Sequence, residues 1–432
     1  MAFFGFSAGI PLLLVFSTLT AWLRDIGVER STIGFFSWVG ITFSIKVLWA
    51  PVIDRASLPV LTAALGKRRG WMLLAQVCLA IGIAAMAVTD PINDVVRFAV
   101  LALFVAFAAA TQDVVIDAWR IEAVDVRRQG AMAATYIFGY RLALLVTGAG
   151  ALYIADFAGW TTAYLVMAAL MSVGVITTLI VDEPEHGVSE ATLDMERRLQ
   201  KIFEDTAKLP GVLQRLEAWF SAAIIGPFVD FFSRHGLQAL VILSLVGLYK
   251  LSDIAMGVMA NPFYIDLGFS LSEIASIAKV FGFIMIIVGS TVGGIMVVRI
   301  GLMRSLLAGA ILVASTNLLF VLMAQYGPDL RLLALVISAD NLTVGISSVV
   351  LVAYASSLTN RAYTATQYAL FSSLMTLPGK FLAGFSGVIV DATSYTVFFL
   401  YAAALGAPAI ILVLYLMKKE GRVPASAADA KP

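Results

Sequence analysis

Nine ionisable side chains lie inside apolar runs of this sequence, where a charge is costly unless protein or water surrounds it. They are Lys46, Asp113, Asp117, Arg141, Lys250, Asp253, Lys279, Asp340 and Lys380. On insertion scales each such group costs roughly 2.5–3.5 kcal/mol at mid-membrane, so nine facing lipid would cost more than about 20 kcal/mol. We therefore expect most of them to face a polar interior, where they can bind protons or polar solutes.

Asp113 and Asp117 have the spacing of proton-carrying groups. They are one helical turn apart, which places both carboxylates on one helix face. Two like charges in a dehydrated site do not both ionise cheaply, so at least one of them would bind a proton readily. Arg141, on the next span, is the expected counter-ion. Proton coupling by these three residues is one interpretation, and a fixed structural ion pair is the alternative.

Three lysines in the apolar runs, Lys46, Lys250 and Lys380, predict affinity for an anionic solute. Lys250 and Asp253 are three residues apart and can instead neutralise each other. Lys279 is nearer to a predicted helix end, where its side chain can snorkel to the interface. Aromatic side chains beside the charges can stack on sugar rings, although most membrane aromatics form interfacial belts. These aromatics are Trp49, Trp119, Tyr140 and Tyr249.

Composition indicates an integral membrane protein. Of the 432 residues, 60% are hydrophobic and 13% are charged. A soluble protein of this size needs more polar residues than that to cover its surface. The net charge of +1 predicts no nucleic-acid partner. The sequence has no phosphate-binding loop and no His/Cys/carboxylate cluster, so we expect no ATP-driven pumping, no metal and no cofactor.

Apolar runs of roughly 20 residues recur along the chain, the length that crosses about 30 Å of hydrocarbon as a helix. The alternation of a membrane β-barrel is absent, so the backbone must be satisfied within helices. We predict twelve spans, numbered in chain order: 2–22, 32–53, 71–89, 96–118, 131–154, 161–181, 237–262, 273–297, 305–325, 332–358, 365–389 and 396–417.

Lysine and arginine are unequally distributed between the two sets of connecting segments. With the N-terminus in the cytoplasm, 20 of the 29 lie in cytoplasmic segments, 4 in outer loops and 5 within spans. The positive-inside rule therefore predicts a multi-pass protein of the bacterial inner membrane with both termini cytoplasmic.

A long polar break divides the chain into a six-span bundle at 1–181, a linker at 182–236, a second bundle at 237–417 and a tail at 418–432. The last part of the linker, 216–232, has the pattern of an amphipathic helix lying in the inner membrane surface. A thirteenth span is the alternative, but it would place the C-terminal basic cluster outside.

Short matches relate the two halves, as in transporters built from repeats. They are Asp25-Ile26-Gly27 with Asp266-Leu267-Gly268, and Asp156 and Trp160 with Asp391 and Tyr395. The charges also recur with a period of three helices, because spans 3, 6, 9 and 12 carry none. Every third span is then a lipid-facing support, and the others surround a central cavity. This predicts an all-α membrane protein with the twelve-helix major facilitator fold.

The segment between spans 2 and 3 combines carboxylate and guanidinium groups. These groups can latch neighbouring helix ends in one conformation and release them in another, so we predict a cytoplasmic gate. The alternative is plain anchoring by the positive-inside rule. The predicted gate residues are Asp54, Arg55, Arg68 and Arg69.

Specific stretches go beyond these general patterns. They are Gly5-Phe6-Ser7-Ala8-Gly9-Ile10-Pro11-Leu12, Thr32 to Ser37, Lys46 to Pro51, Asp54-Arg55, Lys67 to Trp71, Gln112-Asp113, Asp117-Ala118-Trp119, Gly139-Tyr140-Arg141, Tyr249-Lys250-Leu251 with Asp253, and Ala365 to Leu370. Through them nearly the whole chain resembles the AmpG-type muropeptide permeases. It departs from that pattern in its short tail and in Asp340-Asn341, where we expect a glutamate before the asparagine.

The resemblance implies proton-driven import of N-acetylglucosaminyl-1,6-anhydro-N-acetylmuramyl peptides from periplasm to cytoplasm for peptidoglycan recycling. It also implies a part in β-lactamase induction where that circuit exists. We expect a monomer in the lipid bilayer whose partners are the muropeptide and protons. With the charge pattern, the resemblance predicts a substrate site at Gly9, Lys46, Trp49, Gln112, Trp119, Tyr140, Tyr249, Lys250, Asp253, Asn341, Gln367 and Lys380.

Two other interpretations remain at this stage. The same superfamily branch includes acetyl-coenzyme A transporters, so another anionic solute, a peptide or a drug is the alternative cargo. A membrane enzyme or a channel is the remote alternative, since the sequence has no nucleophile–base constellation and its buried charges favour a carrier.

Overall fold

The computed structural model describes residues 1–49, 53, 57–123, 126–184, 231–233, 236–358 and 364–420. All regular elements within these residues are helices. Asp54 and Arg55, the tail beyond 420, and the predicted in-plane helix except for its last two residues lie outside this part of the chain.

Six spans form the N-terminal half. Its helices are Ala2–Leu14 and Ser17–Asp25 (span 1), Arg30–Phe36 and Ile41–Ile45 (span 2), Pro59–Leu65 (a connecting helix), Lys67–Val88 (span 3), Val95–Glu122 (span 4), Val126–Leu145 (span 5), Ala151–Leu170 (the end of span 5 and the start of span 6) and Ser172–Ile180 (the rest of span 6).

The C-terminal half repeats this arrangement. Its helices are Gln238–Leu248 and Leu251–Asp266 (span 7), Leu271–Ile274 and Gly282–Ile300 (span 8), Leu302–Tyr326 (span 9), Leu330–Leu358 (span 10), Thr364–Ala383 and Ser386–Ala392 (span 11), and Tyr395–Ala404 and Ala407–Glu420 (span 12).

Ten helices in the described ranges are long and apolar enough to cross a membrane. One of them, Thr135–Ile180, has 46 residues, about twice the length that a bilayer needs. At Gly159 its backbone leaves the helical region, with φ 83 and ψ 162, so spans 5 and 6 separate there. Span 2 is not among the ten because it is broken into short pieces. With both counted, the fold has the twelve spans predicted.

Span 2 differs most from its prediction as one helix over 32–53. Short 3₁₀ segments, Ser37–Gly40 and Lys46–Leu48, interrupt its α-helical turns. The segment passes close to its neighbours, since a Cβ on Gly34 would lie 2.5 Å from the carbonyl oxygen of Gly384 on span 11. Apolar character alone did not indicate this interruption, because it gives no information on helix continuity.

The two halves share backbone geometry where the sequence matches were found. Gly27 and Gly268 follow the first span of each half, with φ of 87 and 97. Gly66 and Gly301 precede the third span of each half, with φ of 90 and 83. Glycine adopts such angles without the clash that a side chain would cause. The same turns therefore reverse the chain at equivalent points of both halves.

Close helix crossings hold each half together. Span 8 crosses span 10 at Gly289, where an added Cβ would lie 2.0 Å from the carbonyl oxygen of Leu342. Span 1 crosses span 5 in the same way, since a Cβ on Gly139 would lie 1.8 Å from the carbonyl oxygen of Ala2. Small residues at such crossings let helix backbones approach, which is the main source of helix association in lipid.

We predict that Gly289→Ala lowers the stability of the folded protein by roughly 1–3 kcal/mol, because its methyl group meets backbone atoms that must move. Gly294→Ala, on the same helix, is the matched control, since an added Cβ there has nothing within 4 Å. That control should be neutral or slightly stabilising, because alanine favours helix more than glycine does. Thermal unfolding of the two purified variants tests this, and equal melting temperatures would contradict it.

Candidate functional site

Charged groups join the two halves at one face of the molecule. Asp266 on span 7 accepts hydrogen bonds from Arg24, from Arg30 and from the hydroxyl of Tyr395, the latter two at 2.8 and 2.6 Å. Arg30 also pairs with Asp391 at 3.1 Å, and that carboxylate accepts from the Ser31 backbone N–H at 2.8 Å. We call the side that holds these residues the far face, because it is opposite the termini.

A second set of contacts at the far face repeats the first. The indole N–H of Trp160 donates to Asp25 at 2.7 Å, as the hydroxyl of Tyr395 donates to Asp266. Asp156 accepts from the hydroxyl of Ser272 at the start of span 8, as Asp391 accepts at the start of span 2. The matched residues of the two halves thus make equivalent bonds. They close the far face along both the 2–11 and the 5–8 helix pairs.

Two lysines of the C-terminal half extend this closure towards mid-membrane. Lys380 donates to the carbonyl oxygen of Gly40 and the hydroxyl of Ser44, both at 2.9 Å. Lys279 lies 3.4 Å from the hydroxyl of Ser17. It also donates to Asn261 at 3.1 Å, and the Asn261 amide donates to the backbone oxygen of Ser17. Lys279 therefore reaches the other half instead of snorkelling to the interface.

A cavity lies between the halves at this level. It has a volume of about 230 Å³ and is lined mainly by apolar groups. Lys380 and Ser37 are among the few polar groups in its wall. The lining residues include Phe16, Ser17, Phe36, Ile254 and Val258.

Beyond the cavity, towards the termini, spans 5 and 8 separate. A cleft of about 610 Å³ lies between them, with Phe138 and Leu145 on one wall and Phe283 and Ser290 on the other. Arg141 also lines the cleft and is exposed in it. It is 15 residues into span 5, or about 22 Å along the helix, which is near mid-membrane. The cleft thus exposes a cation at that depth.

The aspartates of span 4 have partners other than the predicted one. Lys46 on span 2 lies 3.5 Å from Asp113, and their side chains are 34% and 20% exposed. Asp117 pairs with Arg120 one turn along its own helix, at 3.3 Å. Arg141 forms no ion pair with a described residue. The predicted Arg141–aspartate pair is therefore absent in this conformation, because span 5 turns that guanidinium into the cleft.

The charges of span 7 neutralise each other, as one of the two interpretations of the sequence had it. Lys250 donates to Asp253 at 2.7 Å and to the hydroxyl of Ser347 on span 10 at 2.8 Å. Asp340, two helical turns from Ser347 on the same span, is close enough to both charged groups to interact electrostatically. This places one cation and two carboxyl groups at the contact between spans 7 and 10.

Two residues of the predicted substrate site lie inside the N-terminal bundle. A Cβ on Gly9 would lie 2.7 Å from the Cβ of Ala143, so Gly9 serves the crossing of spans 1 and 5. Gln112 is fully buried and accepts a hydrogen bond from Ser7 at 3.1 Å. Their positions indicate a packing role, which sequence alone does not separate from contact with a solute.

Two of the predicted aromatic residues are also committed to packing. The indole of Trp119 donates to the backbone oxygen of Asp182 at 3.3 Å, and the Tyr249 hydroxyl donates to that of Leu306 at 2.9 Å. Both side chains are buried. Each aromatic residue therefore ties two helices of one half together and does not line the cleft.

Trp49 and Tyr140 are only partly buried and lie near Asp113. Trp49 donates to the hydroxyl of Thr111 at 3.2 Å, and Thr111 is two residues before Asp113 on span 4. Tyr140 is close enough to Asp113 and Arg141 to interact electrostatically with both. The ring of Trp49 also packs on Phe107, with centroids 4.7 Å apart, and contact of these two aromatics with a solute stays a prediction.

Asn341 and Gln367 complete the predicted substrate site. The Asn341 amide donates to the backbone oxygen of Ile337 at 3.0 Å, one turn back on span 10, and faces Gly282 of span 8. Gln367 is on span 11, but its side chain lies outside the described part of the structure.

The basic run at the start of span 3 is held within its own half by the contacts described. Arg68 forms a bidentate pair with Glu122, the shortest contact being 2.6 Å. Glu183 accepts from the backbone N–H groups of Arg68 and Arg69, at 2.7 and 3.0 Å, and so caps the helix. Arg69 also donates to the carbonyl oxygens that end span 6. These contacts fix helix ends, and the predicted gate between halves stays a prediction.

Sequence reasoning did not identify the far-face residues as a functional group. Arg24 and Arg30 counted only as loop cations, and Asp266, Asp391 and Tyr395 only as signs of internal symmetry. The signal was the recurrence of a carboxylate at the same helix end in both halves. Equivalent loops of a pseudo-symmetric fold lie side by side, so their charges can meet.

Comparisons with known proteins agree with this architecture. A family model described as Major Facilitator Superfamily matches residues 1–265. A crystal structure of a POT family transporter in complex with 5-aminolevulinic acid superposes with a TM-score of 0.68 at 14% identity, covering 96% of this chain and 94% of that one. At that identity the likeness concerns the fold alone.

Curated relatives are similar over nearly the full chain. "Putative transporter AmpG 4" of Rickettsia conorii is 34% identical over 417 residues, covering 96% of this chain and 95% of that protein. "Anhydromuropeptide permease" of Escherichia coli K12 is 35% identical over 412 residues, covering 95% of this chain and 77% of that protein. With its fold and the geometry of its two halves, this protein belongs to the AmpG-type permeases of the major facilitator superfamily.

Proposed function

We propose that this protein imports anhydromuropeptides from the periplasm into the cytoplasm by proton symport. The observation that carries the proposal is a partly exposed mid-membrane ion pair, Lys46–Asp113, in a transporter 35% identical to a protein named anhydromuropeptide permease. An ionisable pair at that depth that is reached by solvent is a candidate coupling site. The cargo rests on the relative's name and the coupling on the charges.

The proposed orientation places both termini in the cytoplasm of the bacterial cell, because 20 of the 29 lysines and arginines fall on that side. The far face is then periplasmic and is closed by Asp266 and its partners. The cleft between spans 5 and 8 lies on the cytoplasmic side of that closure. In this assignment the structure represents the state that releases cargo inside.

Substrate recognition follows from the chemistry of the cleft and of the side chains near Asp113. A muropeptide has sugar faces, acetamido groups and carboxylates. Trp49 and Tyr140 offer stacking surfaces near Asp113. Arg141 offers a guanidinium with no described partner, and guanidinium binds carboxylate in a two-bond fork. We therefore assign Arg141 to the cargo's carboxylates and not to the aspartates of span 4.

Coupling follows from competition for Asp113. A proton that binds this carboxylate removes the attraction for Lys46, and the ion pair between spans 2 and 4 is lost. Lys46 is then free to meet a negative charge on the cargo. Proton entry thus changes the charge that the cleft presents. Each proton moving down a potential of 100 mV supplies about 2.3 kcal/mol, or roughly 50-fold accumulation.

The test of function is uptake by purified protein in liposomes. Acidifying the outside should cause accumulation of labelled anhydromuropeptide above its external concentration, and a protonophore should abolish that accumulation. Uptake that the protonophore leaves unchanged would contradict proton coupling. Competition with acetyl-coenzyme A and with free peptides decides the cargo, and displacement of the label by either of them would contradict the muropeptide assignment.

Asp113→Asn should abolish proton-driven accumulation and leave exchange of internal for external muropeptide partly intact. The amide cannot carry the proton, whereas exchange only requires the empty and loaded carrier to change conformation. Asp94→Asn is the matched control, because Asp94 is an exposed carboxylate in the loop before span 4. Full driven uptake by the Asp113 variant would show that another group carries the proton.

Arg141→Gln should raise the KM for muropeptide by roughly 10-fold to 150-fold, because a hydrogen bond to a charged group contributes about 1.5–3 kcal/mol. The increase should be smaller for a muropeptide whose peptide carboxylates are amidated. Arg331→Gln, at an exposed arginine on the far face, is the control. An equal KM increase for the free and the amidated cargo would exclude carboxylate recognition by Arg141.

A further inference from the structure

Asp340 on span 10 is a buried carboxyl group with no cationic partner among the residues that the structure describes. Only 9% of the residue is exposed. It forms no hydrogen bond and no ion pair with any residue in the described part of the chain. It lies 10 residues into the helix Leu330–Leu358, about 15 Å from the far-face end and so deep in the membrane. A carboxylate at that depth needs a partner.

The neighbouring charges on span 7 do not supply one. Lys250 is 2.7 Å from Asp253 and also donates to Ser347, which lies two turns from Asp340 on the same face of span 10. Tyr264, further along span 7, is within electrostatic reach of Asp340 but carries no positive charge. One cation therefore faces two carboxyl groups, and an ionised Asp340 would leave a net negative charge.

The other helices packed against span 10 offer no free cation in their described parts. Lys279 on span 8 is engaged by Asn261 and Ser17, and Lys380 on span 11 by Gly40 and Ser44. The remaining ionisable groups of spans 8 to 10 lie near helix ends, several turns from Asp340. They are Glu273, Arg299, Arg304, Tyr326, Arg331 and Tyr354, and Glu273 is a carboxylate that caps its own helix at Ser270.

The carboxyl groups within the spans differ in whether a nearby cation balances their charge. Asp113, Asp117 and Asp253 each have a basic partner within 3.5 Å. Asp340 has none. An isolated buried carboxylate costs several kcal/mol, and a proton removes that cost without any movement of the protein. In these surroundings the protonated, neutral form of Asp340 is therefore more stable than the carboxylate.

We propose that Asp340 holds a proton in this conformation and is a second proton-carrying residue, in the opposite half from Asp113. The inference deepens the proposed symport and rests on it for the transport step. When the halves rearrange, Lys250 can leave Asp253 for Asp340 across the same helix contact, and the displaced proton passes to water in the cleft. No covalent bond other than the O–H bond forms or breaks.

Infrared spectroscopy of the purified protein in lipid tests the protonation without substrate. A protonated carboxyl group gives a carbonyl-stretch band that a carboxylate lacks. At neutral pH we expect this band in the unmodified protein, its loss in Asp340→Asn, and no change in the exposed control Asp94→Asn. A band that persists in Asp340→Asn would overturn the proposal. So would its absence from the unmodified protein, which is the result expected if a metal cation neutralises Asp340.

Asp340→Glu keeps the test decisive if the asparagine variant does not fold. The band should then persist at a shifted frequency, and an unshifted band would assign it to another group.

In liposomes, Asp340→Asn should lose muropeptide accumulation driven by a proton gradient and retain counterflow. Unchanged accumulation would exclude a coupling role. If the unmodified protein takes up no muropeptide, the proposed function fails, and the infrared result still decides the protonation of Asp340.

Discussion

A polar or ionised group in hydrocarbon must have a bonding partner or water. This constraint accounts for most of the positions that the helices and charged side chains adopt. Backbone groups meet it within helices, which is why the apolar runs are helical. The charged side chains meet it by pairing, as Lys46 does with Asp113 and Lys250 with Asp253. Those that do not pair either bond to oxygens of the other half, as Lys380 does, or face the cleft between spans 5 and 8, as Arg141 does.

The same constraint makes the closure of the far face reversible. Asp266 and Asp391 gather two arginines and a tyrosine from both halves, at a depth where water can replace each bond. Lys279 and Lys380 lie deeper, yet they bond to neutral oxygens of the other half. Neutral acceptors hold a cation less firmly than carboxylates do. A transporter needs this balance, because an interface built from buried ion pairs would open only at high cost.

In the N-terminal half, helix geometry determines which charged side chains form ion pairs. Arg120 is three residues from Asp117 on the same helix, so their pairing requires no tertiary structure. Lys46 reaches Asp113 because span 2 packs beside span 4. Arg141 is on the next span in sequence, but its helix is rotated so that the guanidinium points at span 8. Closeness in sequence therefore gave a wrong prediction of the ion pair between Arg141 and the aspartates of span 4.

The sequence by itself determined the membrane class, the twelve spans and the two related halves, because these follow from hydropathy, length and short repeats. It also identified the family, through Gly139-Tyr140-Arg141 and similar stretches. Only the tertiary structure decided which charges meet, that Gly9 and Gln112 pack inside a bundle, and that Asp340 has no cationic partner in the described part of the chain. The physical reason is that helix rotation and crossing depend on contacts between distant residues, and no local pattern records them.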